Sequence, residues 1–311
     1  MRRAMAHFAA RRGYAARPKV PGPGTPAPPG GFKHPALPES LAGTARVVAV
    51  ASGKGGVGKS TTAVNLACAS ASVLGLRVGL LDADVHGPSI PTLMNLKDTG
   101  PPMVDPASGS MIPIENHGVK CMSMGFLIPE GGAAVWRGPM VMGAIGKMIR
   151  DTHWGKLDVL FIDMPPGSGD AHISVSQQVP LSGAVVVSTP NELALADVRR
   201  GIDAYQKVNA PIIGLVENMA YFEVEGGSDT GDNSSGEKAS KRHYIFGEGG
   251  VRKIAQSTGV ELLGEVPLDP NVVVASDKGA PIVQSSPESA AAKAYVAMAK
   301  RIMEKAQKIE K

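Results

Sequence analysis

The stretch Val47-Val48-Ala49-Val50-Ala51-Ser52-Gly53-Lys54-Gly55-Gly56-Val57-Gly58-Lys59-Ser60-Thr61-Thr62 decides the fold. Its first five residues, Val47–Ala51, are apolar and rich in valine, the composition of a buried strand. Gly53 to Ser60 then fits a glycine, four residues and Gly-Lys-Ser, the spacing of a phosphate-binding loop. Thr61–Leu74 follows as a helix, with Val64, Leu66, Ala67, Val73 and Leu74 apolar. In such a loop the glycines turn successive N–H groups toward phosphate oxygens. The helix start adds its dipole. Lys59 reaches the β- and γ-phosphates and Ser60 ligates Mg²⁺. The run Gly53, Lys54, Gly55, Gly56, Val57, Gly58, Lys59, Ser60, Thr61 is therefore the expected nucleotide site, with ATP and Mg²⁺ as cofactors.

Working outward, further apolar runs at Arg77–Asp82, Leu157–Asp163, Ala184–Thr189, Pro211–Asn218 and Val260–Pro267 read as strands. Helical patterns lie at Pro139–Asp151, Asp170–Gln178, Glu192–Val208, Gly247–Thr258 and Ser286–Lys311. Strands apolar throughout that alternate with helices predict an α/β three-layer sandwich with a mostly parallel central sheet. In such sheets ligands bind at the carboxyl ends of the strands. Asp82 and Asp84 fall at one such end, and Asp163 at another. Asp84 is the candidate to orient the attacking water, while Asp82 and Asp163 support Mg²⁺ beside Ser60. Gly167, in Asp163-Met164-Pro165-Pro166-Gly167, offers an N–H to the γ-phosphate.

Composition bounds the rest. Of 311 residues, 43% are hydrophobic and 19% charged, enough to bury a core and too apolar for wholesale disorder. No apolar run reaches the ~18–20 residues of a membrane-spanning helix. Two cysteines, Cys68 and Cys121, exclude a disulfide scaffold and a four-thiolate metal site within one chain. Aromatics at 4% argue against a stacking platform for nucleic acid. The net charge of +4 belongs to the amino terminus: Arg2, Arg3, Arg11, Arg12, Arg17, Lys19 and Lys33 all precede the first acid, Glu39. The remainder is mildly acidic, so no nucleic-acid partner is expected.

That terminus divides in two. Residues 1–17 are rich in Arg and Ala and free of acids, the composition of a mitochondrial transit peptide. Residues 18–41 contain eight prolines and read as an extended linker. The folded domain is expected over 42–311, interrupted at 223–243 by an exposed polar insertion without a hydrophobic period. The terminal helix carries Tyr295, Met298, Ile302 and Ile309 near one stripe. That pattern suits packing on the sheet, with peripheral membrane contact as the alternative.

The second lysine, Lys54, in Lys-Gly-Gly-Val-Gly-Lys-Ser makes the loop resemble the deviant Walker A of the ParA/MinD/nitrogenase-iron-protein group of P-loop NTPases. The resemblance implies a homodimer in which Lys54 reaches the partner's nucleotide and joins Lys59 and Asp84 as a catalytic group. It also implies base contacts from Asn218 and from Pro267 to Asp269. Longer stretches, Asp82-Ala83-Asp84-Val85-His86-Gly87-Pro88-Ser89-Ile90-Pro91, Trp136-Arg137-Gly138-Pro139-Met140, Asp163 to Asp170 and Val216-Glu217-Asn218-Met219, resemble the Mrp/Nbp branch. Members of that branch are iron–sulfur carrier ATPases. With the leader, the similarity points to its mitochondrial nucleotide-binding-protein-like members, which act in the matrix on iron–sulfur clients in respiratory complex I assembly. The branch usually carries Cys-x-x-Cys after its Asn-Met segment, to bridge a [4Fe–4S] cluster between subunits. Here Asn218-Met219-Ala220-Tyr221-Phe222 runs into Glu223-Val224-Glu225-Gly226 without a cysteine. The cluster ligands are therefore unknown, with Cys121 the first candidate. Three readings stand: an iron–sulfur carrier with slow, switch-like ATP hydrolysis, a nucleotide-gated assembly scaffold without a cluster, and a positioning ATPase of the ParA/MinD kind.

Overall fold

Why the strands are apolar from end to end is plain from where they lie. In the computed structural model, which describes residues 35–128, 138–167, 170–208, 210–224 and 241–309, they build one sheet covered on both faces. Strand β1 (Val47–Ser52) leads through the glycine loop into helix α1 (Lys59–Ser72) and strand β2 (Val78–Asp82). After the short helix α2 (Ile90–Leu93) come strands β3 (Ile114–Asn116) and β4 (Val119–Ser123), helix α3 (Gly138–Arg150) and strand β5 (Val159–Asp163). Then follow helix α4 (Asp170–Gln178), strand β6 (Gly183–Ser188), helix α5 (Glu192–Lys207) and strand β7 (Ile212–Asn218). Strands β8 (Phe222–Val224) and β9 (Lys241–His243) form a separate ribbon, followed by helix α6 (Gly250–Thr258) and strand β10 (Leu262–Val266). Helices α7 (Pro270–Asp277), α8 (Ile282–Ser285) and α9 (Ala290–Ile309) close the chain.

The sheet order is β10-β7-β6-β1-β5-β2-β4-β3, parallel except for β3 against β4. Every residue of β1, β2, β5 and β6 is buried. Leu80, Leu81 and Phe161 are wholly inaccessible, and each side chain so buried contributes about 1.5–3 kcal/mol. The registers align the carboxyl ends. Asp82 pairs with Asp163 across β2 and β5, Val50 with Asp163 across β1 and β5, and Ser188 with Glu217 across β6 and β7. One edge of the sheet thereby gathers the loop after β1 and the carboxylates ending β2 and β5.

The expected α/β architecture stands, with differences at the margins. The hairpin of β3 and β4 was not anticipated: three residues, two of them Glu115 and Asn116, carry no readable period. Helix α7 lies outside the expected elements: its run Val272-Val273-Val274 is β-branched, yet Pro270 at its first turn and Asp269 at its cap start a helix. The residues taken as the end of a linker pack on the body. Glu39–Leu41 is a 3-10 turn, Leu41 is fully buried, and Ser40 Oγ donates to the Ile149 carbonyl at 2.7 Å. The polar insertion opens and closes in paired strand: Phe222 opposes His243 and Val224 opposes Lys241. Arg242 lies 4.1 Å over the Tyr221 ring. The expected transit peptide, most of the linker, the core of the insertion and Trp136-Arg137 lie outside the described residues.

The stripe of α9 faces inward. Tyr295, Met298 and Ile302 are fully buried in the core that α1 and β10 share with this helix, so that stripe is not available to a membrane. No described helix is long and apolar enough to cross one. From the same helix Arg301 donates to the Leu263 carbonyl on β10 at 2.8 Å, and Lys305 to the Ile213 carbonyl on β7 at 3.1 Å.

Candidate functional site

The loop between β1 and α1 is held open by its neighbours. Gly58 sits at φ +80° and precedes α1 without any side-chain cap, so the first N–H groups of the helix are left to a ligand. A Cβ at Gly58 would lie 2.2 Å from the Asn218 amide nitrogen, which itself donates to the Val57 carbonyl at 2.9 Å. Gly56 is at φ +79°, and neither it nor Gly55 has a heavy atom where a Cβ would stand. Gly53 is the opposite case. A Cβ there would meet Asp197 Cβ at 2.3 Å and the Asp197 carbonyl carbon at 2.5 Å, so α5 approaches as closely as glycine allows. Gly53→Ala is expected to displace loop or helix and weaken ATP binding about tenfold or more, measured by titration calorimetry. Unchanged affinity would mean that α5 yields.

Around the loop lies a cavity of about 280 Å³. Lys54, Gly55, Gly56, Gly58, Lys59, Ser60 and Thr61 of the loop and first helical turn line it. Asp84, Ser89, Leu93 and Pro166 line it as well. Of these, Ser89, Leu93 and Pro166 were not singled out from the sequence; the first and last stand in stretches noted only as family signatures. Lys59 reaches away from the loop. Its ammonium donates to Asp163 Oδ1 at 2.6 Å and to Ser60 Oγ at 3.2 Å. Both members of that ion pair are buried. Asp163 Oδ2 is buried with no hydrogen-bond partner. Burial raises the pKa of this carboxyl, against the opposing pull of the Lys59 ammonium and the Ser60 hydroxyl. A buried, unpartnered carboxylate oxygen beside a serine hydroxyl suits the coordination shell of a hard cation such as Mg²⁺.

Asp82 is committed elsewhere. Oδ1 accepts from the Asp84 N–H at 3.1 Å, and Oδ2 accepts from Ser89 N–H, Ile90 N–H and Ser123 Oγ at 3.0, 3.2 and 3.0 Å. Burial, then repulsion from Asp163, pushes its pKa up. Both oxygens thus hold the loop that carries Asp84, a positioning task not foreseen for a residue assigned to the metal. The Gly167 N–H is also engaged: it donates to the Ser52 carbonyl at 3.0 Å rather than facing the cavity as a free donor. Asp269 caps α7 through the Asn271 N–H at 2.8 Å. Pro267 is buried at the end of β10, and neither residue lines the cavity. Lys54 is half-buried and does line it.

The cysteines are remote from any surface. Cys68 and Cys121 are both free and fully buried. Cys68 Sγ lies 3.9 Å from Met94 Sδ. Burial pushes the Cys68 thiol up to about 12 and the Cys121 thiol well above its usual range. A thiol so shielded is a poor ligand, because the thiolate is what binds metal. Cys121 therefore fails as the candidate for a cluster held between subunits. His243, at the end of the insertion, is exposed. Among the described residues no group of three His, Cys, Asp or Glu side chains could hold a metal ion.

A parallel sheet with this loop at the carboxyl end of its central strand defines a P-loop NTPase. Residues 43–303 match the family model described as NUBPL iron-transfer P-loop NTPase, within ParA, and the chain belongs to that family. A relative from Arabidopsis thaliana, called an iron–sulfur protein required for NADH dehydrogenase, mitochondrial, is 50% identical over 85% of this chain and 79% of its own length. The iron–sulfur cluster transfer protein NUBPL of Mus musculus is 49% identical over 85% of this chain and 78% of its own length. Among solved structures, the nucleotide-binding protein of Archaeoglobus fulgidus in complex with ADP aligns with a TM-score of 0.64 and 38% identity. That alignment covers 78% of this chain and 89% of the other. The cell division ATPase MinD of Pyrococcus furiosus, at 22% identity and a TM-score of 0.58, shares the fold.

Proposed function

We propose that this chain is a mitochondrial ATPase that serves iron–sulfur protein assembly, with respiratory complex I as the destination. The observation that carries the nucleotide chemistry is the buried Lys59–Asp163 pair with the free Asp163 oxygen beside it, at the mouth of the loop. The destination rests on the family and on the names of the plant and mouse relatives. The backbone from Gly55 to Ser60 would cradle the phosphates, and Lys59 would shift from Asp163 toward them. Ser60 and Asp163 would hold Mg²⁺, which neutralises phosphate charge when bound. Asp84, held by Asp82, would orient the attacking water. Lys54 would reach a second copy's nucleotide, and Asn218 would exchange its bond to the loop for a contact with the base. Hydrolysis is slow and acts as a switch on the grip for a client in the matrix. The leader of residues 1–17 would bring the body there, with Glu39–Leu41 packed on it.

One observation favours a second reading of the cargo. No cysteine occurs between Asn218 and His243, and both cysteines are buried. The chain then acts as a nucleotide-gated scaffold whose cluster is supplied by a partner. Iron and sulfide content after anaerobic reconstitution of the full chain, with ATP binding and oligomeric state followed in parallel, separates the two. Iron below about one atom per dimer with ATP binding intact is the expected result and supports the scaffold. About four irons per dimer would restore a carrier with its own ligands. The positioning-ATPase reading draws on the basic terminal helix alone, and Tyr295, Met298 and Ile302 of that helix are committed to the core.

A further inference from the structure

Beside the nucleotide cavity lies a buried polar chain that the proposed chemistry does not use. His172, on α4, is 3% exposed, and Tyr205, on α5, is 1% exposed. His172 Nε2 is 2.9 Å from the Pro165 carbonyl oxygen, and Nδ1 is 2.9 Å from the Tyr205 hydroxyl. The rings meet edge to face with centroids 5.5 Å apart. A carbonyl only accepts, so Nε2 carries the proton; Nδ1 of the neutral ring then accepts from the Tyr205 O–H. Burial lowers the His172 pKa to about 4, which keeps the ring neutral near pH 7. The directions are thus set throughout: Tyr205 donates to His172, and His172 donates to Pro165.

Pro165 lies between Asp163, which pairs with Lys59, and Pro166, which lines the cavity. As prolines, Pro165 and Pro166 give this segment no N–H of their own, so it is tied at its ends by Met164 N–H to the Val50 carbonyl and Gly167 N–H to the Ser52 carbonyl, both at 3.0 Å. The His172 bond is the tie at its middle. On its other side α5 abuts the loop at Gly53. The geometry points to His172 as a positioning residue for the Asp163–Gly167 segment, with Tyr205 fixing its tautomer and joining that segment to α5. This rests on the reading of the cavity as a site of ATP hydrolysis.

The test compares Tyr205→Phe, His172→Leu and His172→Gln in the full chain. Tyr205→Phe removes one hydroxyl and keeps the ring. His172→Leu removes both bonds. His172→Gln keeps a donor and an acceptor. In Tyr205→Phe and His172→Leu, kcat for ATP is expected to fall about tenfold with KM unchanged, because a segment is misplaced rather than a binding group lost. Exchange of the Gly167 amide should quicken about tenfold. His172→Gln should restore both readouts toward the wild-type values. Unchanged kcat and exchange in Tyr205→Phe overturns the assignment, as does a His172→Gln variant as impaired as His172→Leu. Should His172→Leu fail to fold, Tyr205→Phe and His172→Gln decide alone. A wild-type chain without turnover refutes the ATPase reading instead, and amide exchange then judges the positioning role by itself.

Discussion

Lys59→Ala is expected to lose nucleotide binding, with affinity falling about a hundredfold or more. The same change destabilises the empty protein. It strips the Lys59 donor from Asp163 Oδ1, while the buried Oδ2 already has no hydrogen-bond partner. Removing one member of a buried ion pair costs about 3–5 kcal/mol. The sign of the pH dependence follows. Without the ammonium, Asp163 has a folded-state pKa raised further above its unfolded value. The penalty is therefore full above that raised pKa and fades as pH falls toward the unfolded value, about 3.9. Thermal unfolding of wild type and variant from pH 8 to pH 4 should show the gap narrowing at the acid end. Retained ATP affinity would sink the assignment of the loop, and a gap that widens on acidification would sink the account of Asp163.

Asp84→Asn separates binding from turnover. The substitution keeps shape and volume, and the backbone N–H at 84 still donates to Asp82. What disappears is the charge and the proton acceptor on a side chain that lines the cavity. Loss of such a group lowers rates by about 10²–10⁴-fold, so phosphate release should fall on the order of a hundredfold while the ATP dissociation constant holds. Unchanged turnover would remove Asp84 from the mechanism. A rise in the dissociation constant equal to the loss in rate would make it a binding residue.

The central sheet was legible because strands such as Val159–Asp163 are covered on both faces and show it as unbroken apolar runs. The loop was legible because phosphate binding imposes glycines at fixed positions, and Gly53 and Gly58 stand where α5 and Asn218 leave no room for a side chain. What could not be read is how polar side chains divide their bonds. Asp82 and Asp163 end neighbouring strands in register, yet one is saturated by the loop it holds and the other keeps a free oxygen. Their difference arises from how the backbone turns at Ser89 and Ile90, just beyond Asp82, and from Ser123 on a separate strand. Asp269, expected from the resemblance as a base contact, caps α7, a role for which the same residue type is equally suited. His172 carried no signal, since a lone histidine in a helix acquires meaning only from Tyr205 and Pro165 beside it.

The contacts from α9 to the outer strand have a consequence for how two such chains can meet. An outer strand ordinarily presents a row of carbonyl and amide groups on which a neighbour's strand can crystallise, the first step toward aggregates. On β10 the Leu263 carbonyl is already occupied by the Arg301 guanidinium, whose charge and bulk stand beside the outer strand. A foreign strand arriving there finds one rung of its ladder taken and a cation in its path. Side-by-side fusion of sheets is thereby discouraged at this border.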